Sequence, residues 1–132
     1  MSGEKNLTTL IKEMKPFVNE GEYVFTTVKN ISNINQDTII GQFKEQEGTT
    51  LILKKSIADE LDLPYTFIAS WVTLKVHSAL DAVGLTAAFS TELAKNNISC
   101  NVIAGFYHDH IFVSKKDEIK TIEVLTKFSN SF

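Results

Sequence analysis

One arrangement occurs twice in this chain and restricts its fold more than any other. "TTLILKKSIADEL" (49–61) and "HDHIFVSKKDEI" (108–119) each join a β-branched strand to a Ser-x-x-Asp start and a short helical segment. Each follows a hairpin containing glycine, Gly48 in the first copy and Gly105 in the second. Ser56 with Asp59, and Ser114 with Asp117, have a spacing that resembles a capping box. Strand, helix start and helix repeated in this order imply a duplicated α+β architecture.

The rest of the chain fits that reading. "NLTTLIKEM" puts Leu7, Leu10, Ile11 and Met14 on one helical face, and Pro16 ends it. "EYVFTTV" reads as a strand, "KNISNINQD" as a loop, and "TIIGQF", "EQEG" and "TTLIL" as strand, turn and strand. In "YTFIASWVTLKVH" Val72, Leu74 and Val76 point one way and Trp71, Thr73, Lys75 and His77 the other. A helix then carries Leu85, Phe89 and Leu93 on its inner face. "ISCNVIA" sends Ile98, Cys100, Val102 and Ala104 to one side, and a last helix turns Ile119, Ile122 and Leu125 inward. The halves therefore read as two ferredoxin-like units, residues 1–69 and 70–132, packed as one compact body.

Composition narrows the function. Among 132 residues, 43% are hydrophobic, the ordinary share for a globular protein. The net charge is −3 and the sequence contains no arginine, so there is no fork for bidentate phosphate recognition and no basic stripe. Nucleic acid is not an expected partner. A single cysteine excludes an intrachain disulfide and fits a reducing compartment. With no apolar run long enough to cross a bilayer, neither membrane insertion nor secretion is expected, and the setting is read as cytoplasmic.

"EQEGTTLIL", the "EYVF" strand and "WVTLKVHSALDAVGLTAAFSTELAKNNISCNVIAGFYHDHIFV" together resemble the small stand-alone tandem ACT-domain proteins of bacteria. The likeness covers nearly the whole chain, in order. It implies pairs of βαββαβ units that bind small molecules, with free amino acids as the usual ligands, and the leading reading is a regulatory amino-acid-binding module with the ligand held at 77–86 between two units. It also implies that ligands sit where the first strand of a unit passes through a loop into the first helix.

That place is "HSALDAVGLTAAFS" (77–90). The first N–H groups of a helix have no partner within it and favour negative charge. Gly84 lets a ligand approach the main chain, and Ser78 and Thr86 add hydroxyls. A carboxylate held there by backbone N–H groups suits a chain without arginine. The expected ligand-binding residues are Ser78, Asp81, Val83, Gly84, Leu85, Thr86 and Asn101. Asp81 either caps the helix or receives the ligand's ammonium. Asn101 either bonds the ligand or serves a sheet edge. A plain turn and cap would give the same local pattern.

His77, His108 and His110, with Asp109 between the last two, offer an alternative metal site, for a metal-binding protein or a metal-dependent enzyme. Cys100 reads as a packed, inert core thiol. No Gly-x-Ser-x-Gly elbow, phosphate loop or Walker-type lysine is present, so neither catalysis nor a cofactor is expected. A third reading is a ligand-free interaction module, self-associating as a homo-oligomer through the helix-free sheet face around Trp71, Ile103 and Phe112.

Overall fold

Asn6 opens the first helix. Its side-chain oxygen accepts the backbone N–H of Thr9 at 3.0 Å, satisfying one of the donors that a helix start leaves open. The computed structural model describes residues 3–132 and carries this helix, α1, over Leu7–Glu13, with Leu10 and Ile11 buried. Strand β1 follows at once, over Pro16–Val28. A loop and a 3-10 turn (Gln36–Thr38) lead to the hairpin of β2 (Ile39–Lys44) and β3 (Thr49–Lys54). Then come α2 (Lys55–Glu60) and β4 (Ile68–Leu74). The remainder is α3 (Leu85–Lys95), β5 (Asn101–Ala104), β6 (Asp109–Ser114) and α4 (Glu118–Asn130).

These elements gather into two compact units that do not follow chain order. Residues 21–69 form one; residues 3–20 join 70–132 in the other. The expected division into 1–69 and 70–132 differs from this in where residues 3–20 belong. Strands β1 and β4 each run through a boundary, so each contributes residues to both units.

In the 21–69 unit the strands lie in the order β2-β3-β1. β1 and β3 are antiparallel, with Val24 opposite Leu53 and Thr26 opposite Leu51. Val24, Ile34, Leu51, Leu53 and Ala58 form its buried core. The place of a first helix is taken by the polar loop after Val28 and its 3-10 turn, where Asn35 accepts the N–H of Asp37.

In the other unit the order is β1-β4-β6-β5, the ferredoxin-like order, with the fourth strand supplied by the beginning of β1. β5 and β6 are antiparallel, Val102 opposite Ile111. Val72, Leu74 and Val76 from β4 and just beyond meet Phe89 and Leu93 of α3, Leu125 of α4, and Leu10, Ile11 and Met14 of the opening segment. This is the alternation expected of β4 and the i, i+4, i+8 face expected of α3.

Several local expectations are corrected. Neither Ser-x-x-Asp segment is a capping box. The N-cap of α2 is Lys54, with no side-chain cap bond among the described residues, and Asp59 instead accepts from Lys55 Nζ at 2.9 Å and the Tyr65 hydroxyl at 2.6 Å. Ser114 precedes a 3-10 turn (Lys115–Asp117), so α4 begins only at Glu118. That delay rotates the inner face onto Thr121, Leu125 and Ser129, and leaves Ile119 74% exposed. Cys100 is half-buried against the core rather than enclosed. Phe112, expected on the open sheet face, is 1% exposed and stacks on Trp71 with ring centroids 6.1 Å apart.

Candidate functional site

Just past β4 Val76 bonds its N–H to the carbonyl of Leu74, and the chain passes through residues 77–84 toward α3. Gly84 then caps α3 with φ +103 and ψ −17, a conformation that side-chain-bearing residues rarely adopt. Among the described residues no side chain caps this helix. Its first intrahelical bond runs from the Ala88 N–H to the Gly84 carbonyl, so helix geometry leaves the earlier N–H groups to other partners.

Beside this helix start lies a cleft of about 130 Å³. Ser78, Gly84, Leu85 and Thr86 line it, as do Ala79, Leu80 and Ala82 from the loop, and Ala104 and Asp109 from the β5–β6 hairpin. Four of the seven expected ligand residues are thus brought together. The other three are elsewhere. Asp81 is exposed and accepts from Lys5 Nζ at 3.0 Å, which holds its carboxyl below the usual range. Val83 is 84% exposed. Asn101 donates across the hairpin to the carbonyl of Phe112 at 3.4 Å.

In the sequence Asp109 stands out only as a neighbour of histidines. It is 8% exposed, and no hydrogen bond reaches its carboxylate among the described residues. Burial pushes its carboxyl up, and the charge of His110 partly offsets this. Its placement was legible: it is two and four residues before Ile111 and Val113, both buried, so strand alternation turns it inward.

The histidines do not assemble as a metal site. Among the described residues no three His, Cys, Asp or Glu side chains converge on one point. His110 Nδ1 is occupied: Trp71 Nε1 donates to it at 3.0 Å and it lies 3.1 Å from Thr73 Oγ1, which in turn accepts from Asn19 Nδ2 at 2.9 Å. Burial, with the charge of His108, pushes His110 down, and Asp109 partly opposes this. His77 packs instead against the rings of Tyr107 and Phe106, at centroid distances of 5.6 and 6.2 Å.

Family models described as ACT domain match residues 2–70 and, with a second model, residues 67–127. The chain belongs to the ACT-domain family. It is a tandem of ACT domains, an arrangement that supports a regulatory role built on binding a small molecule. A Vibrio cholerae protein of unknown function, called a possible transport protein, is 44% identical over 95% of this chain and 97% of its own, with a TM-score of 0.84. An Agrobacterium tumefaciens protein has the same fold at 18% identity, covering 89% of this chain and 90% of its own, TM-score 0.70. So has the regulatory subunit of aspartate kinase from Thermus thermophilus in its ligand-free form, at 6% identity over 86% and 95%, TM-score 0.58. No protein of curated function matches. No helix among the described residues is long and apolar enough to cross a membrane.

Proposed function

We propose that this tandem ACT protein is a regulatory module of the cytoplasm that binds a free amino acid in the cleft beside α3 and has no catalysis of its own. The observation that carries the reading is the pairing of opposite needs in one cleft. The start of α3 offers backbone N–H groups and the positive end of a helix dipole, which suit a carboxylate. Asp109, mostly buried and with no hydrogen bond to its carboxylate among the described residues, suits a cation. A free α-amino acid carries both charges on adjacent atoms. The ammonium partner in this reading is Asp109, because Asp81 already holds Lys5. Ser78 and Thr86 supply hydroxyls, and Ala79, Ala82 and Ala104 leave room by being small. The aspartate-kinase regulatory subunit of the same fold supports a regulatory rather than catalytic role.

A thermal-shift screen of free amino acids, each added singly, tests this, since a molecule that binds only the folded state raises stability by RT ln(1 + [L]/Kd). Asp109→Asn should then move two readouts in opposite directions. The unliganded protein should gain stability at neutral pH, because a buried charge is removed. The amino acid's binding should weaken by about 1–3 kcal/mol, because its ammonium loses a charged acceptor. Unchanged affinity in that variant would remove Asp109 from the site, and no response to any amino acid would overturn the ligand class.

A further inference from the structure

The cleft loop is held from outside by the start of the chain. Glu4 bridges to Ser78 in parallel fashion: its N–H donates to the His77 carbonyl at 2.8 Å, and its own carbonyl accepts from Ala79 at 3.0 Å. Lys5 pairs with Asp81, and a Leu7 methyl comes within 3.1 Å of where a Cβ on Gly84 would lie. Gly3 makes the approach possible. A Cβ there would fall 2.6 Å from the Ser78 carbonyl carbon and the Ala79 nitrogen, closer than real contacts permit.

Within the unit the loop is also held by His77, which packs on the rings of Tyr107 and Phe106, and by Ala82 against the core. The loop's internal backbone bonds are Ser78 to the Val76 carbonyl and Ala82 to the Ala79 carbonyl, both turn-like. Three of its residues that touch Gly3, Glu4 or Leu7 (Ser78, Ala79 and Gly84) also line the cleft.

We propose that residues 3–7 are a latch: docked, they hold the 77–84 loop in the position that forms the cleft, and released, they let the cleft lose its shape. The coupling to binding rests on reading the cleft as an amino-acid site. Latch and amino acid then favour the same state of the loop, so each strengthens the other by the same factor. An N-terminal segment that another molecule can pull away would give the protein an output for its ligand.

Gly3→Val tests the latch, because the added side chain collides with the loop backbone while leaving every cleft residue and every charge in place. Amide hydrogen exchange should speed up together at Glu4 and Ala79, by about tenfold or more, with Phe89 inside α3 unchanged. Lys5→Gln should act in the same direction through the loss of the Asp81 pair. For whichever free amino acid most stabilises the unsubstituted protein, affinity should fall by about tenfold in Gly3→Val, and that amino acid should slow both amides in the parent. Unchanged exchange at Ala79 in both variants would overturn the latch. Faster exchange with unaltered affinity would overturn its coupling to the cleft. If no amino acid stabilises the parent, the site reading fails separately, and the exchange of Glu4 and Ala79 still decides whether the segment holds the loop.

Discussion

Ser129, near the end of α4, donates its hydroxyl to the carbonyl of Ile11 at 2.7 Å and lies 3.0 Å from that of Lys12. These are carbonyls of the last turn of α1, which the helix itself leaves open. A residue near one terminus therefore completes a helix near the other. Ser129→Ala leaves those acceptors short of a donor in a place 7% exposed at the serine, and should cost about 1–3 kcal/mol in urea denaturation. A cost indistinguishable from zero would mean that solvent replaces the hydroxyl.

His110 sets an acid limit. Burial and the charge of His108 hold its folded pKa below the ordinary imidazole value, although Asp109 pulls the other way. The unfolded chain therefore takes up the proton first as pH falls. The stability contributed is complete above the ordinary value and is lost as pH drops through it toward the folded value. Denaturation midpoints should decline between about pH 7 and pH 5 and the decline should flatten in His110→Gln. A parent and variant with parallel pH profiles would assign the decline to other groups.

Gly84 is a poor place for a bulky probe of binding. With φ +103, any side chain is strained, and the Leu7 methyl lies 3.1 Å from the new Cβ. Gly84→Ala should lose about 1–2 kcal/mol of stability before any ligand is added, and Gly84→Val more. Affinity in Gly84→Ala is meaningful only well below its melting temperature, measured by calorimetric titration. A variant as stable as the parent would contradict the left-handed cap.

Cys100 should be slow to react. Burial pushes its thiol up to about 11 from an ordinary 9.0, so the thiolate population at a given pH falls roughly a hundredfold. Alkylation of the native protein at pH 8 should lag behind that of the urea-unfolded chain by about that factor. Equal rates would show that the thiol opens to solvent.

What the sequence revealed follows from what local pattern encodes. Leu85, Phe89 and Leu93 repeat at helical spacing, and Val72, Leu74 and Val76 alternate, so both faces could be assigned from neighbours alone. Asp109 was equally legible by alternation and was missed because two flanking histidines suggested a different chemistry. The partner of α1 was not legible at all. Nothing in "NLTTLIKEM" distinguishes packing on α4 from packing on any other apolar surface, since a hydrophobic face carries no address. The latch residues were invisible for the same reason: Gly3, Glu4 and Lys5 reach the loop through backbone and carboxylate groups more than seventy positions away. The false capping boxes at Ser56 and Ser114 show the converse, with spacing correct and geometry claimed by a 3-10 turn or by a lysine and a tyrosine.

The assignment of residues 3–20 to the unit of 70–132 has a consequence for the order of synthesis. Translation delivers the beginning of the chain first, and domains generally fold as they are completed. Residues 21–69 are all available while α4 has yet to be made. Leu10, Ile11 and Met14, which end in the core with Phe89 and Leu125, cannot be fully covered until α4 has been made. A nascent chain stalled before α4 should therefore offer chaperones the apolar face of α1, a helix made long before the partner that completes its burial.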